Sequence, residues 1–145
     1  MKITLFTSNQ NRHNYLINLL SSISNELFVI QECKTVFSDK ILDQHSKSII
    51  MEKYFEKVIE AQNKMFKKQY VTNNNKSVKT LPILTGELNK LSLSYLDEFL
   101  KSNIYIVFGS SYIKGELIGF LVKNKAINIH AGESPYYRGT DCNFW

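Results

Sequence analysis

Residues 103–113 read Asn-Ile-Tyr-Ile-Val-Phe-Gly-Ser-Ser-Tyr-Ile and contain the most informative strand of the chain. The run from Asn103 to Phe108 is almost unbroken in its apolar character, which is typical of a strand buried on both faces of a parallel sheet. A short loop follows directly, formed by Gly109, Ser110, Ser111, Tyr112 and Ile113. The residues from about Lys114 to Lys123 then predict a helix, so the order is strand, turn and helix.

The beginning of the chain has the same alternation. Lys2–Thr7 predicts a buried strand, Asn11–Ile23 carries apolar residues at helical spacing, and Leu27–Glu32 predicts a second strand. With a further strand at Ala126–His130, the sequence predicts an α/β, Rossmann-like parallel sheet with helices on both faces. At 145 residues it suits a single domain spanning residues 1–145. The turn after the first strand has no glycine, so the dinucleotide-binding fingerprint is absent.

The middle of the chain is less regular. Ser46 to about Lys68 predicts a long amphipathic helix whose apolar stripe we expect in the core. The segment Thr80–Asn89 contains Pro82 and Gly86, and it predicts an irregular connection. Leu91–Lys101 predicts a short helix.

Composition excludes several classes of protein. The chain is 43% hydrophobic and 21% charged, which is ordinary for a globular protein, and its formal net charge of +5 comes almost entirely from dispersed lysines that we interpret as solvated surface. Two cysteines do not make a disulfide framework, and no Cys or His spacing predicts a metal site. The start resembles no signal peptide, and the most apolar window contains Lys114 and Glu116. We therefore expect a cytoplasmic protein without a membrane partner.

The last predicted strand ends in a polar pair. Asn128 and His130 should share one face because side chains alternate along a strand, and the ligand crevice of an open α/β sheet lies beyond the carboxyl ends of its strands. A turn through Gly132 and Pro135 follows, and then Tyr136-Tyr137-Arg138-Gly139. The simpler alternative is a solvated strand end with local hydrogen bonds.

Asn128-Ile129-His130, the Pro135 turn and Tyr137-Arg138-Gly139 together resemble the formyltransferase family, which includes methionyl-tRNA, glycinamide ribonucleotide and sugar-nucleotide N-formyltransferases. The resemblance implies transfer of a formyl group from 10-formyltetrahydrofolate, the formyl-donor substrate, to a substrate amine. It implies catalytic roles for Asn128 and His130 and no metal. By the same resemblance, the loop of Gly109, Ser110, Ser111, Tyr112 and Ile113 would line the folate pocket. Tyr137, Arg138 and Gly139 would face the amine substrate.

The chain departs from the family pattern in two places. Gly132-Glu133-Ser134-Pro135 replaces a Ser-Leu-Leu-Pro turn and Tyr136 stands where a basic residue is common, which argues against tRNA and leaves a sugar nucleotide as one candidate for the small-molecule amine. The family's third catalytic residue, an aspartate, comes later than this chain extends, and Asp141 lies too close to His130 to replace it. We therefore expect a C-terminally incomplete domain with little or no activity and a tendency to form homo-oligomers. The alternatives are a non-catalytic folate- or nucleotide-binding remnant and an α/β interaction module.

Overall fold

The computed structural model describes residues 1–35, 48–67, 69, 77–133 and 136–137. Within these ranges, strands and helices alternate along most of the chain. The elements are β1 (Lys2–Ser8), α1 (Asn11–Ile23), β2 (Glu26–Cys33), α2 (Ile49–Phe66), β3 (Val78–Leu84), a short 3-10 helix (Leu88–Lys90), β4 (Ile104–Phe108), α3 (Gly115–Lys123) and β5 (Ile127–Asn128).

The strands form one five-stranded sheet in the order β3-β2-β1-β4-β5. All four pairings are parallel, and β1 is the central strand, with β2 on one side and β4 on the other. The register aligns Ser8 with Glu32 and Thr7 with Phe108, so these three strands end together. The predicted α/β class and the parallel sheet are therefore confirmed.

Both faces of the sheet are covered. Alternation along β1 sends Leu5 to one face and Phe6 to the other, and both side chains are fully buried. The first face packs against α1, and its buried residues are Ile3, Leu5, Ile17, Leu20, Leu27, Val29 and Ile106. The second face packs against α3 and the segment before β4, and its buried residues are Phe6, Ile30, Leu88, Leu96, Leu100, Tyr105, Leu117 and Leu121.

Two predictions between residues 80 and 101 were wrong. The segment that contains Pro82 is a regular strand, β3. Proline is tolerated there because, among the described strands, β3 pairs with β2 alone and forms the edge of the sheet. Leu91–Lys101 contains successive turns and no regular helix, although Leu100 N–H still donates to the Leu96 carbonyl at 3.0 Å. Leu96 and Leu100 nevertheless reach the core.

Helix α2 also differs from the prediction. None of its 18 residues is buried, and Met65 of the expected core stripe is 76% exposed. Amide groups of α1 contact α2 and Gln69, which follows α2 in the chain. Asn11 Nδ2 donates to Asn63 Oδ1, and the Tyr15 and Phe66 rings lie 5.4 Å apart. Asn14 Nδ2 donates to the Gln69 carbonyl at 3.4 Å, and Asn18 Nδ2 donates to Gln69 Oε1 at 3.2 Å.

Among the described residues, no helix combines the length and the apolar character needed to cross a membrane.

Strand β5 is short, with two paired residues next to β4, and its Ile127 side chain is 54% exposed.

The packing of α1 against the sheet is testable with two substitutions on the same helix. Ile17→Ala removes a fully buried side chain, and we expect it to lower the free energy of unfolding by about 2–5 kcal/mol. Leu19→Ala, at a position that is 49% exposed, is the control and should cost about 1 kcal/mol or less. Urea unfolding followed by circular dichroism measures both, and equal losses would contradict this packing.

Candidate functional site

The candidate site lies where β4 and β5 end. Both strands run in the same direction, and Val107 of β4 is aligned with Asn128 of β5. Ile129 N–H donates to the Val107 carbonyl at 2.9 Å, which extends the pairing one residue beyond β5. The Asn128–His130 segment therefore runs beside the end of β4, next to the Gly109–Ile113 loop. The side chains of Asn128 and His130 are exposed, and their joint action stays a prediction.

The turn after β5 holds the His130 ring. Both the amide nitrogen and the carbonyl oxygen of Gly132 lie 3.1 Å from His130 Nδ1. When Nδ1 accepts a hydrogen bond from the Gly132 N–H, the neutral ring carries its proton on Nε2. The local turn thus supplies a main-chain partner that fixes the direction of the imidazole.

The Gly109–Ile113 loop begins directly above a buried histidine. Gly109 has a φ of +69°, and a Cβ at this position would lie 2.3 Å from Nε2 of His13. Glycine is needed here for two reasons, because the backbone is left-handed and because His13 occupies the space of a side chain. The loop backbone therefore passes in close contact with the first turn of α1.

His13 is the third residue of α1, and its side chain is only 2% exposed. The backbone N–H of Gln10 donates to Nδ1 at 3.2 Å, and Nε of Arg12 lies 3.2 Å from Nε2. Burial, reinforced by the positive charge of Arg12, lowers the pKa of His13 to about 3. A neutral ring has one acceptor nitrogen, and neither neighbour can accept a hydrogen bond from the second N–H of a charged ring. With the lowered pKa, His13 is therefore neutral near pH 7.

The middle of the loop is attached to Glu32, the penultimate residue of β2. The Glu32 carboxylate is 1% exposed and accepts three hydrogen bonds, two of them from Ser111. Oε1 accepts from Ser111 Oγ at 2.8 Å and from Gly86 N–H at 2.8 Å, and Oε2 accepts from Ser111 N–H. The two donors of Ser111 therefore point into the protein. Glu32 was not predicted from the sequence, although a carboxylate at the end of an apolar strand was a visible signal.

The remaining residues of the loop have different surroundings. Ser110 Oγ donates to the Ser111 carbonyl at 3.2 Å, and Ile113 packs against the core on the α3 face. Tyr112 is 79% exposed, and its carbonyl accepts a hydrogen bond from Asn89 Nδ2 at 2.8 Å. Tyr112 is thus the member of this loop that offers a large accessible surface.

The predicted substrate-facing residues are described only in part. Tyr137 is 54% exposed, and its N–H donates to the Glu133 carbonyl at 2.8 Å, while Arg138 and Gly139 lie outside the described residues. In the part of the chain that the structure describes, no group of three His, Cys, Asp or Glu side chains could hold a metal ion.

Comparison with known proteins identifies a similar fold. No family model and no curated protein matches the chain. Among solved structures, the chain is similar to the phosphoribosylglycinamide formyltransferase from Anaplasma phagocytophilum, with a TM-score of 0.51 and 14% sequence identity. The fold is formyltransferase-like. The match covers 99% of this chain and 56% of that chain, so the chain spans little more than half the length of the solved enzyme.

The contact between Gly109 and His13 predicts a large effect of a small substitution. Gly109→Ala places a methyl group against the imidazole in addition to the left-handed strain, and we expect it to cost about 3 kcal/mol or more of stability. Gly115→Ala is the matched control, because Gly115 has a φ of +63° and open space around its Cβ position. The control should cost only about 1–2 kcal/mol. Equal destabilisation in urea unfolding would show that His13 does not restrict this position.

Burial of neutral His13 predicts weaker folding in acid. The unfolded chain takes up a proton at a pKa near 6.5, whereas the folded chain does so only near 3, so stability is lost as pH falls between these values. We expect the free energy of unfolding to fall by about 1 kcal/mol per pH unit between pH 6 and pH 4.5 because of this one group.

The measurement is the difference in slope between the wild type and His13→Gln in urea unfolding across that pH range. His13→Gln should show the shallower slope, and His130→Gln serves as the control for loss of a surface histidine. Identical slopes for the wild type and His13→Gln would contradict the neutral, buried state of His13.

Proposed function

We propose that the chain binds 10-formyltetrahydrofolate at the carboxyl edge of its sheet and that Asn128 and His130 act on the formyl group. The observation that carries the proposal is the 2.9 Å hydrogen bond from Ile129 N–H to the Val107 carbonyl, within a formyltransferase-like fold. This bond holds the Asn-Ile-His segment beside the loop that follows β4. The exposure of both side chains supports a role toward a ligand rather than in packing.

The residue types suit formyl transfer to an amine. The folate supplies an activated formyl carbon, and negative charge develops on the formyl oxygen as an amine attacks. The Asn128 side-chain amide is a neutral donor for that oxygen, and one such donor typically contributes about 2.7–4 kcal/mol. The imidazole of His130 can accept the proton lost by the attacking amine and pass it to the folate nitrogen as the bond from that nitrogen to the formyl carbon breaks. Such a role is typically worth about 10²–10⁴ in rate.

The exposed aromatic side chains fit the two substrates. Tyr112 follows β4 and is 79% exposed, so its ring offers a face on which a flat pterin can stack. Tyr136 and Tyr137 follow β5 and are 80% and 54% exposed. Tyrosine side chains stack well on sugars and bases, which favours a small-molecule amine such as a sugar nucleotide as the acceptor.

The first test measures folate binding and formyl transfer separately. Isothermal titration of the 145-residue chain with 5-formyltetrahydrofolate, a stable reduced folate, should detect binding. Transfer from 10-formyltetrahydrofolate to an amino-sugar nucleotide, followed by mass spectrometry in single-turnover mode, should be slow.

Substitutions identify the residues responsible. Asn128→Ala should lower the residual transfer rate by about 10²–10³, the usual effect of removing one oxyanion donor. His130→Ala should lower it at least as far. Asn124→Ala is the matched control, because this exposed amide caps α3 by donating to the Phe120 carbonyl at 2.8 Å. The proposal fails if no reduced folate binds, and folate binding without transfer would favour the non-catalytic alternative.

A further inference from the structure

A buried carboxylate connects the ends of three strands. Glu32 stands near the end of β2, Gly86 follows β3, and Ser111 follows β4. The sheet order places β1 between β2 and β4, so the Glu32 side chain reaches past the end of β1 to Ser111. Two strand spacings separate β2 from β4, on the order of 10 Å, which is a span that few side chains bridge.

The carboxylate is held by donors alone. Its oxygens accept hydrogen bonds from two backbone N–H groups and one hydroxyl, and the side chain is 1% exposed. A carboxylate buried to this extent needs several donors to offset the loss of water, and hydrogen bonds to an ionised oxygen are among the strongest in proteins. Moving Ser111 away would leave two oxygen contacts unmade, so the loop has one strongly preferred position.

Hydrogen bonds with Asn89 fix the loop backbone near Tyr112 as well. Asn89 donates to the Tyr112 carbonyl at 2.8 Å, and its Oδ1 accepts from the Lys114 N–H at 2.7 Å. The loop is therefore fixed at Ser111 by Glu32 and on both sides of Ile113 by Asn89. The exposed ring of Tyr112 emerges between these two attachments.

We propose that Glu32 is the positioning residue of the folate loop. It acts through Ser111, it sets the course of the Gly109–Ile113 backbone, and it presents Tyr112 to the pterin of the bound folate. This inference rests on the proposed function, because it concerns the same ligand. It assigns Ser111 an inward, structural role and leaves the recognition of folate to Tyr112 and the loop backbone.

The chemistry requires a carboxylate and not merely a polar residue. Gly86 N–H and Ser111 N–H donate to different oxygens of Glu32. The amide of glutamine has the same shape but only one acceptor oxygen, so in either orientation one backbone N–H would face an NH₂ group. A loop with such an unsatisfied amide populates other positions, and the apparent affinity for a ligand falls with the populated fraction of the competent position.

The test is isothermal titration of the 145-residue chain with 5-formyltetrahydrofolate. We expect Glu32→Gln to raise the dissociation constant about tenfold or more at unchanged stoichiometry. A variant that merely unfolds part of the population would lower the stoichiometry and keep the dissociation constant. Glu26→Gln is the matched control on the same strand. Glu26 pairs with Lys2 at 2.6 Å near the opposite end of the sheet, and its substitution should leave folate binding unchanged.

Hydrogen exchange of the free protein gives a second readout. The Ser111 and Gly86 amides should exchange about tenfold faster or more in Glu32→Gln, because one of them loses its acceptor at any time. Exchange of both amides at the wild-type rate would overturn the inference. If Glu32→Gln does not fold, Glu32→Asp replaces it, since aspartate keeps the charge and loses the reach, and equal folate affinity in that variant would also overturn the inference.

The outcomes separate this inference from the proposed function. A wild-type chain that binds no reduced folate refutes the proposed function and the role of Glu32 in folate binding with it. A wild type and a Glu32→Gln variant that bind folate equally well overturn the role of Glu32 alone.

Discussion

The hydrogen bonds that hold β1 between β2 and β4 are the constraint on which the rest of the structure depends. Five consecutive residues of β1, Ile3–Thr7, are buried, so this strand can lie only at the centre of a sheet covered on both faces. Because both neighbours run parallel to it, the chain must leave every strand at the same edge. Glu32, Ser111 and Asn128 are distant in the sequence, and all three lie at that edge.

Among the described residues at the carboxyl edge, two ionisable side chains are buried, and they differ in the hydrogen bonds that surround them. His13 lies between two donors and stays neutral, and a neutral ring fits under Gly109 without a counterion. Glu32 receives three donors from the loops that follow β3 and β4. The neutral ring of His13 packs under Gly109, and the carboxylate of Glu32 binds Ser111. The two side chains therefore fix the Gly109–Ile113 loop from different directions.

The local parts of the fold could be predicted from the sequence. The strands β1, β2 and β4 are continuous apolar runs, and α1 and α3 have clear helical spacing, so their positions followed from residues close in the chain. Strand β3 could not be predicted, because Pro82 and Gly86 are turn-formers in most contexts and only a place at the sheet edge makes Pro82 compatible with a strand.

The candidate site, too, could be predicted from the sequence only in part. The place of Asn128 at a strand end followed from alternation and topology. The contact of Glu32 with Ser111 joins residues 79 positions apart, and no local pattern encodes such a pair. The exposure of α2 was missed for a related reason. Amphipathic spacing indicates that a helix has an apolar side, but it does not indicate how much of that side the rest of the fold covers.

The amide contacts of α1 with α2 and Gln69 have a thermodynamic consequence. Heat-capacity change on unfolding comes mainly from newly hydrated apolar surface, and hydrated polar surface reduces it. Asn11, Asn14 and Asn18 meet Asn63 of α2 and Gln69 through amide groups, so breaking these contacts hydrates polar surface, unlike loss of the Tyr15–Phe66 contact. These amide contacts therefore add little to the heat-capacity change, which comes mainly from the apolar residues that cover the two faces of the sheet. The curvature of stability with temperature thus reports on the packing of the sheet more than on the amide contacts of α1.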